Sequence, residues 1–266
     1  MSRTILSREN PDFRHWKKLL HSARERRKAG LLVLEGVHLV RDWHTAYGAP
    51  ESVLVSDRGM ENAEIRACLA ESCVGAKMVR LAEARFAELA TTATPAGILA
   101  LAPLPTRGSS PAPDRDSLLL DGIQDPGNLG TLLRTAAAAG IGQVLLSADC
   151  ADVWSPKTLR AGQGAHFCLD IHAGADLVAF LRNFQGEGLA TALTERAESL
   201  YAIQWRHPVA WVFGAEGQGV RPEILTAARK QVRIPMPGRM ESLNVSAAAA
   251  ICLFEMTRRA ETTRTA

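Results

Sequence analysis

The chain has no apolar run able to cross a bilayer; the longest, Ala247 to Phe254, falls far short of the roughly 20 residues needed. It has no apolar leader either. The opening MSRTILSRENPDFRHWKK is basic and without a hydrophobic stretch, which argues against secretion and for the cytoplasm. Cysteine is sparse and odd in number (Cys68, Cys73, Cys150, Cys168, Cys252), with no CxxC pair, so reduced thiols are expected and a disulfide framework is not. The 7 histidines include no HExxH and none stands at zinc spacing from a cysteine. No metal site is expected.

The common nucleotide and hydrolase signatures are missing too. There is no GxxxxGK[ST] phosphate loop and no GxSxG elbow. GxG triplets begin at Gly140, Gly162, Gly186 and Gly217. The position where a dinucleotide fingerprint needs its third small residue holds Leu145, Phe167, Thr191 and Pro222. A dehydrogenase, an ordinary Rossmann methyltransferase and an α/β hydrolase all lose ground.

What is there is an ordinary globular composition over 266 residues, 47% hydrophobic and 22% charged, long enough for one or two domains. The formal net charge is only +3. Its distribution is uneven. Residues 1–28 hold nine Lys/Arg against three Asp/Glu, a net of +6, so the remainder carries −3. This opening tenth reads as one helix capped by Asn10, with Pro11 in the first turn and Gly30 closing it. Phe13, Trp16, Leu20 and Ala23 fall on an inward face. Arg14, Lys17, Lys18, Arg24, Arg26 and Arg27 form either a solvated face or a phosphate-tracking one.

Strand-like and helix-like segments then alternate. Strands are expected at 31–35, 52–57, 77–81 and 97–102, with helices at 37–47, 61–72 and 82–90. PLPTRGSSPAPDRD, Pro103 to Asp116, has four prolines and no apolar period, and reads as a linker. A second alternation follows, with strands at 117–120, 143–147, 167–171, 189–193, 209–213 and 231–235 and a closing helix from about Leu243 to Arg259. The expectation is two α/β domains, residues 1–103 and 117–266 joined by 104–116, each with a mostly parallel sheet.

Three strand-end segments of the second domain concentrate polar groups. In residues 118–140 a strand enters a Gly/Pro/Asn loop, a helix begins near Asn128, and Arg134 near its start is the helix's lone charge, suited to an anion. In residues 209–220, Gly214, Gly217 and Gly219 permit close backbone approach to a ligand, with Glu216 embedded among them. In residues 232–255 a Pro-Gly loop leads to a helix for which Ser242 or Glu241 could serve as cap, leaving Asn244 in the first turn.

NLGTLLRTA (Asn128–Ala136), FGAEGQGV (Phe213–Val220) and IPMPGRMESLNVSAAAAICLFE (Ile234–Glu255) closely resemble, in order, the three motifs of the SpoU/TrmH methyltransferases, a branch of the SPOUT class. SPKTLRAGQGAHF (Ser155–Phe167) resembles the segment between the first two motifs, with Gly162 where the family commonly has Ser. The opening ILSRENPDFRHWKKL, with LEGVHLV, resembles the substrate-binding domain of ribosomal-RNA members.

The resemblance implies a C-terminal trefoil-knotted domain, a homodimer, and methyl transfer from S-adenosylmethionine to a ribose 2′-OH of RNA. Ribosomal RNA is favoured, with a transfer-RNA methyltransferase or a silent RNA-binding assembly factor as alternatives. By motif, Gly214, Ile234 and Leu243 would meet the cofactor through their backbone. Arg134 would stand at the target ribose. A guanidinium stays protonated in proteins, so it suits a phosphate fork and a stabiliser of alkoxide character better than a base. Asn128 and Asn244 would orient the substrate or the arginine, Glu216 would hold loop geometry, and Ser242 would contact the site. No metal is required, because positioning and electrostatics can supply much of the rate.

Overall fold

The computed structural model describes residues 3–5, 7–92, 94–105 and 110–265. It forms two compact units, Met1–Thr106 with Trp154–Phe167, and Arg107–Val153 with Cys168–Ala266. The expected second domain, 117–266, thus lends residues 154–167 to the first unit.

The first unit is built on β1 (Arg3–Ile5), α1 (Pro11–His21), α2 (Ala23–Ala29), β2 (Leu31–Glu35), α3 (Val37–Tyr47), β3 (Ser52–Ser56), α4 (Asp57–Glu61), α5 (Ala63–Ser72), β4 (Lys77–Leu81), α6 (Glu83–Ala87) and β5 (Ile98–Pro103). To these it adds a helix Pro156–Gly162, the eighth in the chain, and the 3-10 turn Ala165–Phe167. Strand order is β1-β4-β3-β5-β2. β1, β4 and β3 run parallel, whereas β5 is antiparallel to both β3 and β2. The sheet is mixed, not mostly parallel, because β5, which follows α6, is inserted antiparallel between β3 and β2.

Period-2 alternation sorts its residues onto two faces. Leu32, Leu34, Val53, Val55, Ile98 and Ala100 pack with α3, α5 and Leu159. Val33, Leu54, Val79, Leu81, Leu99 and Leu101 meet Phe13, Trp16, Leu19 and Leu20 of α1. Each such Val, Leu, Ile or Phe side chain, fully buried, contributes about 1.5–3 kcal/mol.

The single opening helix of the sequence reading is two. Ser22 is extended (φ −129°, ψ 112°), and its Oγ accepts from Glu25 N at 3.2 Å, so a serine that favours capping over helix interior ends α1 and starts α2. Asn10 caps α1 as expected. Phe13, Trp16 and Leu20 are buried, but so is Arg26, 3% exposed, whose Nη1 donates to the Leu19 carbonyl at 2.5 Å and the Leu20 carbonyl at 3.4 Å. Arg26 therefore leaves the group of expected RNA contacts; it ties α2 to the end of α1. Arg14, Lys17, Lys18, Arg24 and Arg27 are exposed.

The second unit comprises β6 (Ser117–Asp121), α7 (Pro126–Ala138), β7 (Gln143–Leu146), β8 (Asp170–Ala173), α9 (Leu177–Asn183), β9 (Glu187–Thr191), β10 (Glu198–Ser199), β11 (Val209–Gly214), α10 (Pro222–Ala228), β12 (Arg229–Arg233) and α11 (Val245–Thr265). All its strand pairs are parallel, in the order β10-β12-β9-β11-β6-β7-β8. β6 and β11, at its centre, are buried along their whole length, which explains their continuous apolar sequence. The strand expected at 167–171 is displaced to Asp170–Ala173, because Phe167 closes the 3-10 turn instead.

Of the expected linker, residues 106–109 lie outside those described. The part beyond them is fastened to the second unit. Ala112 exchanges hydrogen bonds with the Gln143 amide at 2.8 and 3.0 Å, and Gln185 N donates to the Pro113 carbonyl at 2.8 Å.

Candidate active site

Chain order and strand order diverge between β6 and β11. The chain leaves β6 toward β7 on one side and leaves β11 toward β12 on the other, so a crevice opens at their carboxyl ends, the position at which parallel α/β sheets bind ligands. Gly214 lies opposite Asp121 in the register, so the two strands end level and their loops run side by side.

The first loop leads into α7. Asp125 caps it, its Oδ1 accepting from Asn128 N at 2.8 Å, with Pro126 next in chain. Asn128 thus stands in the first turn with its amide held from both sides. Its Nδ2 donates to Glu216 Oε1 at 2.8 Å, while its Oδ1 accepts from Asn244 Nδ2 at 3.0 Å. Ser246 Oγ adds a bond to the Asn128 carbonyl at 3.2 Å. Asn244, rather than Ser242 or Glu241, is the cap of α11: its Oδ1 accepts from Ser246 N at 2.9 Å and Ala247 N at 3.3 Å. The closing helix starts two residues later than expected for that reason. Three segments, the outer two 116 residues apart in sequence, are joined by the chain Asn244, Asn128, Glu216, each amide oriented by a neighbour.

Beside this network lies a cavity of about 440 Å³ at the ends of β9, β11 and β12. Gly214, Ile234 and Leu243 line it, as do Glu216 and Ser242. So the three residues expected at the cofactor, with two of the expected polar ones, share one space. Its floor is main chain: Gly219 N donates to the Ala215 carbonyl at 2.8 Å, closing the loop that crosses it. A Cβ on Gly214 would stand 2.1 Å from the Gly219 carbonyl carbon and 2.2 Å from Val220 N, so only glycine fits. Apolar Val232, Met236 and Val245 and the hydroxyls of Thr191 and Ser242 complete the walls. A concave, mostly apolar space with a few polar groups and exposed backbone suits a nucleoside with a sulfonium-bearing tail. The residues present fit that group.

Arg134 is placed differently from the expectation. It is the ninth residue of α7, not near its start. From Asn128 it is about 9 Å along the axis and about 240° around it, so the two do not share a face. It is exposed, and among the described residues it makes no hydrogen bond or ion pair. Sequence reasoning missed Ser246, Asp125, Asp121 and Arg221. Asp125 carried a signal, since Asp-Pro with the Asp three residues ahead of Asn128 is a helix-start signature; Ser246 carried none. Among the described residues no group of three His, Cys, Asp or Glu could hold a metal ion, and no helix is long and apolar enough to cross a membrane. Cys68, Cys73 and Cys252 are buried thiols, Cys150 is half-buried and Cys168 is exposed.

Residues 117–254 match the SpoU rRNA Methylase family, and residues 10–100 the MRM3-like substrate binding domain. The chain is 34% identical over 255 residues to the 23S rRNA (guanosine(2553)-2′-O)-methyltransferase RlmP of Bacillus subtilis, over 95% of this chain and 98% of that one. It resembles the crystal structure of an RNA 2′-O ribose methyltransferase with a TM-score of 0.81 and 33% identity, covering 97% of this chain and 98% of that one. An AdoMet-bound rRNA methyltransferase from Sinorhizobium meliloti gives 0.80 at 26% identity, covering 97% and 98%.

Proposed function

The chain belongs to the SpoU rRNA methylase family, and on that premise we propose that it transfers a methyl group from S-adenosylmethionine to a ribose 2′-OH of ribosomal RNA. The observation that carries this reading is the meeting of Gly214, Ile234 and Leu243 around one cavity, beside the Asn244–Asn128–Glu216 network. The cofactor supplies a methyl already activated by its sulfonium. The chain's part is binding and orientation. Backbone groups of Gly214, Ile234 and Leu243 would hold the adenine side, and the apolar wall would exclude water. Glu216, fixed by Asn128, keeps the glycine loop in the shape that leaves the cavity open. Arg134, exposed and uncommitted, would hold an RNA phosphate and stabilise alkoxide character at the attacking 2′-oxygen.

RNA is read through phosphates and 2′-OH groups, and the exposed Arg14, Lys17, Lys18, Arg24 and Arg27 supply the first unit with cations for that grip. The trefoil knot and the homodimer belong to the same proposal. Phe254, 49% exposed on α11, is an apolar residue a second copy would cover. Calorimetry with S-adenosylmethionine and no added metal is expected to show binding. Arg134→Ala is expected to cut labelled-methyl transfer to 23S RNA by about 10²–10³-fold, with cofactor affinity within about threefold of wild type. Absence of cofactor binding by the wild-type chain would overturn the reading.

A further inference from the structure

The glycine loop that floors the cavity is anchored at a point outside it. Asp121 ends β6 and is 2% exposed, a depth at which an unpaired carboxylate would be costly. It is paired completely by one residue of the neighbouring loop. Asp121 Oδ2 accepts from the main-chain N–H of Arg221 at 2.9 Å, and its Oδ1 accepts from Arg221 Nε at 2.8 Å and lies 2.7 Å from Nη2. Asp149, 3.4 Å from Arg221 Nη1, and Glu223, 3.8 Å from Nε, face the same guanidinium more loosely.

Gly214 is the register partner of Asp121, so the chain leaves the sheet beside Asp121 and returns to it seven residues later at Arg221. Between those points lie Ala215 to Val220, all lining the cavity, with Glu216 bonded to Asn128. Neither Asp121 nor Arg221 lines the cavity itself. We infer that Asp121 and Arg221 are a positioning pair which closes the base of the glycine loop and thereby sets the affinity for the cofactor, without touching cofactor or RNA.

This rests on the cavity being the S-adenosylmethionine site. The pair is two-pronged by chemistry: a guanidinium fork and a main-chain N–H both converge on one carboxylate, so the side chain and the backbone of residue 221 are fixed together. A lysine at 221 would keep the main-chain bond and the charge but lose the fork.

The test uses the full chain, with cofactor affinity from calorimetry and initial rates against 23S RNA. Arg221→Gln and Asp121→Asn are each expected to raise the Kd and KM for S-adenosylmethionine about tenfold, with kcat at saturating cofactor and KM for RNA changed less than about threefold. The double variant is expected to be no worse than either single one, because both remove the same link. Arg221→Lys is expected to recover part of the affinity lost in Arg221→Gln. Should Asp121→Asn fail to fold, the half-exposed Arg221 carries the test alone. Variants that bind the cofactor as wild type does, or that lose kcat and both affinities together, would overturn the pair's role. A wild-type chain that binds no cofactor would instead overturn the assignment of the cavity, and the pair's role with it.

Discussion

The Glu255 carboxylate sits on α11 between two guanidiniums of its own helix, accepting from Arg258 Nε at 2.7 Å and Nη2 at 2.9 Å and from Arg259 Nε at 2.7 Å. Those bonds, Arg258's foremost, pull its pKa from 4.5 down to about 2. A folded value below the unfolded one stabilises the fold above the unfolded pKa, and the gain is lost as pH falls through the folded one. Arg258 is largely exposed, so water screens much of the gain. Glu255→Gln is expected to lower stability at pH 7 by about 1 kcal/mol, and urea melts should show that gap closing between pH 4.5 and 2. The second guanidinium also holds the fold together: Arg259 donates to the carbonyls of Leu200 and Ile203 at 2.7 Å and stands 4.0 Å over the Trp205 ring. Arg, planar and five-fold a donor, suits that junction where Lys would not.

At the scale of elements, loops at strand ends carry the chemistry and strands hold them in register. Gly214 and Gly217 lie in one such loop but differ in surroundings. A methyl on Gly214 would overlap the backbone of Gly219 and Val220, whereas nothing stands within 4 Å of one on Gly217. Gly214→Ala is expected to abolish cofactor binding, since the clash is with backbone that cannot swing aside. Gly217→Ala is expected to leave the melting temperature within about 2 °C of wild type, read by thermal melts. The split of the opening helix is also decided at this scale. Apolar spacing runs through Ser22 uninterrupted, but its hydroxyl satisfies an orphan N–H of α2 better than a helix interior would use it.

For the molecule as a whole, the net charge of +3 averages a +6 segment of 28 residues with a −3 remainder. Five of the cations on that segment proposed for RNA are exposed, and the sixth, Arg26, is inside. Reversing Arg24 and Arg27 to Glu is expected to weaken RNA binding and to flatten the slope of log affinity against log salt by about 1 to 2. Arg26→Ala is expected instead to cost about 2 kcal/mol of stability in denaturant melts, leaving the salt slope nearly as it was. The two units also share sequence unevenly, since Trp154–Phe167 lies inside the stretch matched to the methylase family yet packs with the first unit. There Leu159 enters the core and Arg160 Nη1 reaches Glu35 Oε2 at 3.2 Å and Thr91 Oγ1 at 2.6 Å.

Local signals were enough for most elements. Period-2 and continuous apolar runs placed β2, β3, β4, β6 and β11 within a residue or so, and α3 at its observed ends, because those patterns follow from which side chains leave water. The motif spellings were enough to bring Asn128, Glu216, Asn244 and the glycine loop into one expected site. Sequence alone could not say that β5 runs antiparallel, that Arg26 turns inward, that Asn244 takes the cap from Ser242, or that Asp121 meets Arg221. Each of these depends on a partner distant in the chain or on a contest between neighbouring polar groups for the same N–H or carbonyl. Pattern along a chain records which residues seek burial; only the packed structure decides which polar group answers which.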